Sequence, residues 1–389
     1  MHRHMWSWAL RSSATLSAKI LLIAVLAAVV VPACGCIEQP FLLPFTDLSF
    51  AFNLPESTTP ETISIAGPAM FAEESLFEQI PGKRGHHAAT ITAFPDGELL
   101  AAWYSYPGDD ELVGSAIYMT RRLAGSNTWQ TPHLHIDRDV GDGNPVLYSE
   151  GNAVWFFQAV VPFGWSTAHI EMQRSADRGN TWTSPVEIAG PLGANTRFAP
   201  LRLQDGSLIL PAYDDLLQRS LFFSSRDGEG WTLLSVVATG GDHHPIQPSI
   251  TALDDGRLLA VMRNTGREWL WVMASDDGGQ HWSEPIDGGF ANPASPAALQ
   301  RLVSGDLVMV YNDSPRKRRP LSIAVSRDEG RTWPFRRVLA DGKDAYSYPS
   351  IVQSADGLIH VVYSLSRRRI QHITLNEAWI VLGDSGGSP

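Results

Sequence analysis

The chain has 389 residues, a formal net charge of −11 and two cysteines. The acidic balance disfavours nucleic acid as a partner, because surfaces that bind phosphate backbones are rich in Lys and Arg. Both cysteines, Cys34 and Cys36, precede the repeats described below, so the repeat region has no thiol for a disulfide or a zinc site, and we predict no metal and no cofactor.

The first 36 residues are typical of an export signal. Arg3, Arg11 and Lys19 precede an apolar run over residues 20–33, which is short for a bilayer span of ~20 residues. Val-Pro-Ala-Cys at residues 31–34 resembles a bacterial lipoprotein cleavage box. We expect export to the periplasm or the medium, with three modes open: cleavage, lipid anchoring through Cys34, or an uncleaved membrane anchor.

The sequence then divides into a linker, a large repeat region and a short tail. Residues 37–61 are rich in Pro, Ser and Thr and lack repeat signals, so we interpret them as a linker. We assign residues 62–381 to one domain and residues 382–389 to a disordered tail. Within residues 62–78 we expect a strand that pairs with the last repeat and closes the domain.

The domain contains two out-of-phase repeats. Ser-x-Asp-x-Gly-x-x-Trp occurs at residues 175–182, 275–282 and 326–333, with a damaged copy at residues 225–231, and tryptophans recur about every 50 residues. Six glycines that each separate two strand-like runs count the units: Gly97, Gly151, Gly206, Gly256, Gly305 and Gly357. Four antiparallel strands per ~40 to 50 residues are typical of a propeller blade. We therefore predict an all-β fold, a six-bladed β-propeller with four antiparallel strands per blade.

The strand order predicts which residues share a face. In each blade, the residues before the first strand and after the second lie at the same end of the ring, opposite the Gly turns. This face receives the following polar residues: His86, His87, Asp109, Asp110, Asn144, Arg197, Asp214, Asp215, His243, His244, Gln247, Arg263, Asn264, Asn292, Asn312, Asp313, Arg319, Tyr346 and Tyr348. So polar a mouth predicts a binding site.

Two basic runs, Arg316-Lys-Arg-Arg319 and Arg367-Arg-Arg369, fall in loops on the same face. Clustered guanidinium groups on an acidic protein attract anions and match a carboxylate with two hydrogen bonds. A carboxylated sugar on an oligosaccharide or glycoconjugate would suit them, although solvated loop charges are the favoured interpretation of either run alone.

The repeats resemble those of the sialidase (neuraminidase) superfamily, whose Asp boxes have the Ser-x-Asp-x-Gly-x-x-Trp pattern. The resemblance implies three arginines that bind the substrate carboxylate, a tyrosine nucleophile paired with a glutamate, and an aspartate acid/base. It makes Tyr348 the nucleophile candidate, Arg263 and Arg319 the second and third arginines, and Asp109 or Asp110 the acid/base. Arg197, His86, His243, His244, Asn144, Asn264, Asn312, Asp313 and Tyr346 complete the set of expected substrate-binding residues.

Two positions depart from the family pattern. His87 stands where the first arginine belongs, and Gln247 stands where the glutamate belongs. A neutral Gln cannot take the proton of a tyrosine whose ordinary pKa is ~10. His87, His243 and His244 are alternative acids or bases. Three hypotheses therefore remain: a sialidase-like exo-glycosidase, a uronate lyase that uses the same groups for β-elimination, and a carbohydrate-binding propeller without catalysis.

Overall fold

The computed structural model describes residues 67–266 and 268–382. Over these residues the chain forms six antiparallel sheets that follow one another in sequence, so the six-bladed β-propeller predicted from the repeats is confirmed. Each sheet has four strand positions, and the innermost strand of the third is broken in two.

The strands are numbered in chain order. The ring-closing strand is β1 (Phe71–Ser75). Blade 1 comprises β2 (Gly85–Ala93), β3 (Leu99–Tyr106), β4 (Ala116–Arg122) and β5 (His133–Ile136). Blade 2 comprises β6 (Gly141–Glu150), β7 (Ala153–Val161), β8 (His169–Ser175) and β9 (Val186–Ile188). Blade 3 comprises β10 (Ala194–Thr196), β11 (Leu201–Arg202), β12 (Leu208–Asp214), β13 (Arg219–Ser225) and β14 (Thr232–Val237).

The second half repeats the arrangement. Blade 4 comprises β15 (Pro245–Ala252), β16 (Leu258–Asn264), β17 (Glu268–Ser275) and β18 (Ile286–Asn292). Blade 5 comprises β19 (Ala298–Arg301), β20 (Leu307–Asn312), β21 (Leu321–Ser326) and β22 (Phe335–Ala340). Blade 6 comprises β23 (Tyr346–Gln353), β24 (Ile359–Leu365) and β25 (Arg369–Leu375). A short helix, α1 (Glu377–Leu382), follows the last strand, and a single 3-10 turn spans Trp165–Thr167.

Strand β1 closes the ring. It pairs antiparallel with β25 from Phe71 opposite Leu375 to Ser75 opposite Gln371, so blade 6 takes its outermost strand from the N-terminal side of the domain. The closing strand expected within residues 62–78 is therefore confirmed. Pairing with β1 covers the outer side of β25, and a propeller of separate blades leaves only short, protected sheet edges.

The Asp boxes are hydrogen-bonded turns. In the first copy, Ser175 Oγ accepts from the Gly179 amide at 2.7 Å and Asp177 Oδ1 accepts from the Thr181 amide at 2.8 Å. The indole of Trp182 donates to the Gly179 carbonyl and covers the turn. In the damaged copy, the indole of Trp231 instead donates to the Met172 sulfur at 3.3 Å. The motif therefore staples the outer strands, away from the mouth.

Pairing is interrupted at the same level in the innermost strands of four blades. Registers skip two residues between His87 and Thr90, Gly143 and Val146, Ile246 and Ser249, and Ser347 and Ser350. The first skipped residue has a positive φ each time: Ala88 (51°), Asn144 (44°), Gln247 (54°) and Tyr348 (57°). Such φ values are unfavourable for residues other than Gly, and bulges of this kind redirect a side chain out of the pleat. The sixfold ring thus presents three bulge side chains larger than Ala at one mouth.

The predicted N-terminal signal at residues 1–36, the linker at 37–61 and the tail beyond Leu382 lie outside the described residues, so their assignments stay predictions. Leu382 itself ends α1. Within residues 67–266 and 268–382, no helix has the length and apolar character needed to cross a bilayer. The same residues contain no group of three or more His, Cys, Asp or Glu side chains arranged to hold a metal.

Two buried histidines join the ring-closing strand to blade 6. His372 Nδ1 lies 3.0 Å from Glu74 Oε1 on β1, and His360 Nδ1 lies 3.1 Å from His372 Nε2. Because the Glu74 carboxylate only accepts, His372 donates to it through Nδ1. His360 Nε2 lies 2.9 Å from Ser354 Oγ, which also donates to the Asp356 carboxylate.

Burial lowers the pKa of His360 to about 3, and the pKa of His372 is also lowered by burial. The unfolded chain protonates such an imidazole more readily than the folded protein does. The contribution of the imidazole to stability is therefore fully present above its ordinary pKa of ~6.5 and is lost as pH falls. We expect His360 alone to cost about 2 kcal/mol of unfolding free energy between pH 7 and pH 5. Between pH 7 and pH 5, the unfolding free energy measured in urea should fall by about 2 kcal/mol less in His360→Gln than in the unaltered protein. An identical fall in both proteins would contradict the lowered pKa of His360.

Candidate active site

The mouth of the ring holds a cavity of about 460 Å³ on the face opposite the Gly turns. Each of the six blades contributes residues to its walls. The lining residues are Tyr104, Glu111, Asn144, Trp165, Tyr213, Asp215, Gln218, Asp242, Ile246, Gln247, Arg263, Thr265, Arg318, Tyr348 and Arg367. Three of them, Asn144, Gln247 and Tyr348, are the bulge residues, so the bulges bring the predicted catalytic pair into one cavity.

The Tyr348 phenol is surrounded by donors and cations. Arg263 Nη1 lies 3.4 Å from the phenol oxygen and donates to Gln247 Oε1 at 3.2 Å. The Arg318 guanidinium lies 5.4 Å from the centre of the phenol ring. Burial raises the pKa of Tyr348, but the positive charges of Arg263 and Arg318 and a hydrogen bond from Gln247 outweigh it, so the net pKa is lowered.

Three arginines reach the cavity, each from a different blade. Arg263 lies near the end of β16, Arg318 in the loop after β20, and Arg367 in the turn between β24 and β25. Each of the two basic runs therefore contributes one guanidinium. In the first run it is Arg318 that lines the cavity, whereas the predicted Arg319 donates to the Gly342 carbonyl outside it.

A tight turn directs Arg367. Ser366 (φ 49°) and Arg367 (φ 56°) both have positive φ, and the Arg368 amide donates to the Leu365 carbonyl at 2.9 Å. Two consecutive left-handed residues are typical of a type I′ hairpin turn. The Arg367 carbonyl also accepts from the His86 amide at 2.8 Å, which ties this turn to blade 1. No spacing in the sequence signals that this arginine enters the cavity.

The carboxylate in the cavity from the blade 1 loop is Glu111. Its Oε2 accepts from the Tyr104 hydroxyl at 3.0 Å and pairs with Arg367 at 3.0 Å, and its Oε1 accepts from the Trp165 indole at 3.3 Å. The predicted Asp109 and Asp110 are exposed, and Asp110 Oδ1 accepts from the Leu112 amide at 3.0 Å. Sequence reasoning selected the correct loop but missed Glu111, since the loop conformation decides which of three consecutive acids faces inward.

His87 is buried beneath the nucleophile candidate. Its ring centroid lies 4.3 Å from that of Tyr348, and its Nδ1 lies 2.8 Å from Ser364 Oγ. Burial lowers the pKa of His87 well below its usual range, and the charges of Arg367, Arg318 and Arg197 lower it further. The imidazole is therefore neutral at physiological pH and packs against the phenol ring rather than lining the cavity.

Arg197 lies deeper still and is 1% exposed. Its Nη2 donates to the Tyr348 and Pro349 carbonyls at 2.6 and 2.9 Å, and its Nη1 donates to the Ala89 carbonyl at 3.2 Å. These carbonyls belong to the bulges of blades 6 and 1. Arg197 thus binds the backbone under the site, and its guanidinium does not line the cavity.

The predicted histidines outside the cavity serve structural contacts. His86 is buried, with Nδ1 2.9 Å from Ser105 Oγ, and burial lowers its pKa to about 4. His243 stacks on Trp269 with centroids 4.9 Å apart, and its Nδ1 lies 3.1 Å from Asn264 Oδ1. Asn264 Oδ1 also accepts from the Gly266 amide, and the His244 amide donates to a threonine hydroxyl. None of these side chains lines the cavity.

The remaining predicted residues of blades 5 and 6 also lie outside the cavity. Asn312 is buried and donates to the Tyr346 carbonyl at 2.7 Å, which ties blade 5 to blade 6. Tyr346 is buried in the apolar core between those blades. Asp313 is exposed on the loop that follows β20.

Blade 3 contributes Tyr213, which the sequence did not indicate, and Asp215, which the sequence placed on this face without a role. Tyr213 OH accepts from Asn144 Nδ2 at 3.1 Å. Burial raises the pKa of Asp215, and Ser166 Oγ donates to its carboxylate at 3.3 Å. The preceding Asp214 pairs instead with Arg219 at 2.9 Å. Blade 3 thus provides hydrogen-bond donors and acceptors to the cavity lining.

Comparison with known proteins agrees with this architecture. The profile of the BNR repeat-like domain family matches residues 97–361, more than half of the chain. The chain belongs to this family, within the sialidase superfamily. A sialidase of Micromonospora viridifaciens is 25% identical over 364 residues, covering 81% of this chain and 55% of that protein. A sialidase of Bacteroides fragilis (strain YCH46) is 22% identical over 303 residues, covering 66% of this chain and 54% of that protein.

The fold is shared with solved sialidase structures. The Hadza microbial sialidase Hz136 superposes with a TM-score of 0.68 at 18% identity, covering 77% of this chain and 67% of that chain. The chain spans about half the length of the two curated relatives. A shared propeller at such identity establishes the scaffold, and the chemistry has to be argued from the cavity itself.

Arg318 and Arg319 form a matched pair of neighbours, one inside the cavity and one outside. We expect Arg318→Ala to weaken binding of a free carboxylated monosaccharide, sialic acid or glucuronic acid, at least about tenfold, because one charge-assisted contact is lost. Arg319→Ala should stay within about twofold of the unaltered protein, since its guanidinium binds a backbone carbonyl. Isothermal titration calorimetry measures both, and equal losses would show that the cavity arginines do not select the ligand.

Proposed function

We propose that this propeller is a sialidase-like glycoside hydrolase that acts on a carboxylated glycan, with a sialic acid or a uronic acid as the bound sugar. The observation that supports it most directly is the convergence of three guanidinium groups, from blades 4, 5 and 6, around the phenol of Tyr348. The coarser family assignment rests on the matching profile and the sialidase relatives.

The arginines account for the anionic part of the substrate. A carboxylate that enters between Arg263, Arg318 and Arg367 gains charge-assisted hydrogen bonds in a cavity partly shielded from water. Arg367 is paired with Glu111 at 3.0 Å and nearly half exposed, so it stays able to reorient toward an arriving anion. The overall charge of −11 makes this patch a local exception that favours an anionic ligand at the mouth.

The chemistry follows from the groups around that carboxylate. Before the first step, the phenol proton of Tyr348 passes to solvent, and Glu111 takes up a proton from solvent when Arg367 turns from it to the substrate carboxylate. The Tyr348 oxygen then attacks the anomeric carbon as the glycosidic C–O bond breaks, and Glu111 gives its proton to the leaving oxygen. In the second step Glu111 takes a proton from water, the resulting hydroxide attacks the same carbon, and the bond to Tyr348 breaks. One water is consumed, and Tyr348 is again deprotonated and Glu111 again protonated.

The presence of Gln247 in place of a glutamate favours a second candidate function, that of a propeller that binds such glycans without turning them over. An amide at this position cannot act as a base toward the tyrosine. A lyase reaction on a uronic acid needs a base beside a neutralised carboxylate, so it would use the same Tyr348 and arginines. Turnover assays separate the three.

We further propose that residues 1–36 direct export, which would place the mouth where extracellular or periplasmic glycans are met. The support is the order of basic residues, apolar run and Cys34 in the sequence.

The test of function is an assay of the purified chain on sialosides and on uronate-containing oligosaccharides. Release of free sialic or uronic acid supports the hydrolase, and a rise in unsaturated-uronate absorbance identifies the lyase. Binding without product identifies the non-catalytic alternative. Tyr348→Phe should lower turnover by at least about 10³-fold with an unchanged circular dichroism spectrum, because the nucleophilic oxygen is absent. Full activity in this variant would remove Tyr348 from the mechanism.

Glu111 and Asp110 provide a second matched pair. We expect Glu111→Gln to reduce turnover about 10² to 10⁴-fold for substrates with a poor leaving group, because the proton donor is lost. Aryl glycosides, whose leaving groups need no proton, should lose much less. Asp110→Asn should leave kcat/KM within about twofold, since its carboxylate is exposed and binds a backbone amide. The reverse ranking would transfer the acid/base role to Asp110.

A further inference from the structure

The buried cation beneath the site lacks a carboxylate partner. Arg197 is 1% exposed, and the three hydrogen bonds of its two terminal nitrogens go to backbone carbonyls. Within the described part of the chain, no carboxylate lies at ion-pair distance from it, and its Nε is unpartnered. A charge removed from water without a counter-ion costs several kcal/mol, so a neighbour that becomes negative is favoured.

Among the ionisable groups near Arg197, the phenol of Tyr348 has the largest effect on it. The guanidinium carbon lies 5.3 Å from the phenol ring centre. Burial lowers the pKa of Arg197 to about 10, and the phenols of Tyr348, Tyr213 and Tyr104 oppose that fall. Arg197 therefore adds a buried positive charge beneath the ring to those of Arg263 and Arg318, which lower the pKa of Tyr348.

The orientation of Gln247 is complementary to a phenolate. Its Oε1 accepts from Arg263 at 3.2 Å, which leaves the amide N–H₂ for the phenol oxygen. A hydrogen bond donated to the ionised form favours that form. A glutamate at this position would accept the proton of the tyrosine, whereas Gln247 can only stabilise the oxygen after the proton has left.

The other charged and titratable groups around Tyr348 are those of the cavity walls and of the strands packed under it. Arg263, Arg318 and Arg367 favour the phenolate and Glu111 opposes it, while Asp215 and Asp242 are the other carboxyl groups of the cavity lining. His87 is neutral, and Tyr104 and Tyr213 stay protonated because burial raises their pKa. Together with Arg197, the four arginines outnumber the three carboxyl groups.

We propose that Tyr348 is a phenolate in the resting protein, with Arg197 as its buried counter-ion and positioning residue and Gln247 as its hydrogen-bond donor. The proton passes to solvent before substrate binds, so the nucleophile needs no carboxylate base. This deepens the proposed function, and it rests on that function only for the step in which the oxygen attacks the sugar.

Ionisation is measured without substrate. Ultraviolet difference absorbance of the full chain minus its Tyr348→Phe variant, titrated with base, isolates the tyrosinate band of one residue. We expect this band to be more than half developed at pH 8, about two units below the ordinary midpoint of a tyrosine. A midpoint at or above ~10 would overturn the proposal.

Three variants test the cause. Arg197→Met keeps an unbranched side chain without the charge and should raise the midpoint by at least about one unit, and Arg197→Lys should restore most of the shift. Gln247→Glu should also raise it, because a like charge then lies beside the phenolate. The matched control is Arg327→Met, a part-buried arginine over Phe335 in blade 5, which should leave the midpoint unchanged.

The outcomes separate this inference from the proposed function. A low midpoint that moves with Arg197 supports the phenolate even if no glycan is turned over, in which case the proposed function fails alone. If glycan is turned over while Tyr348 titrates near ~10, the phenolate is wrong and the function stands. In an active protein, the acidic limb of kcat/KM should shift upward by the same amount as the midpoint in Gln247→Glu. Should Arg197→Met fail to fold, the Tyr348→Phe difference titration and Gln247→Glu still decide.

Discussion

The site depends on a backbone constraint, the two-residue bulge that recurs at one level of the innermost strands. Asn144, Gln247 and Tyr348 each adopt a positive φ there, a conformation that costs an ordinary residue of order 1 kcal/mol or more. Arg197 binds carbonyls of the Tyr348 bulge and of the corresponding bulge in blade 1, at Ala89. The side chains that face the cavity are held by this strained backbone, so their direction is a property of the closed ring.

Closure converts distant sequence into one electrostatic environment. Arg263, Arg318 and Arg367 are separated by about 50 residues each along the chain, and only the ring brings them to one cavity. The cavity is small and partly shielded, so their charges act more strongly there than on an exposed surface. The acidic remainder of the protein surrounds this patch without cancelling it.

The two departures from the family pattern have a common physical character, since both place a neutral side chain next to the phenol. His87 is held neutral by burial and by neighbouring cations, and it packs against the Tyr348 ring. Gln247 accepts a hydrogen bond from Arg263 and donates one to the phenol, and Arg263 itself also reaches the phenol oxygen. Under the proposed mechanism, Arg197 beneath the ring favours the ionised phenol, so no base is needed to remove its proton. Arg367 at the mouth binds the substrate carboxylate in place of the first arginine.

The sequence by itself determined the scaffold. The 50-residue period, the six turn glycines and the Asp boxes depend on local turn chemistry, which is written in consecutive residues, and they specified six blades, the closing strand and the face on which the loops meet. Tertiary structure decided which side chain of each loop enters the cavity. The cavity receives Arg318 rather than Arg319, Glu111 rather than Asp109 or Asp110, and the first arginine of the run Arg367-Arg-Arg369. These residues differ from their neighbours only in where the backbone directs them. Likewise, Arg197 has no local signal for burial, because its partners are carbonyls that lie more than 100 residues away in either direction.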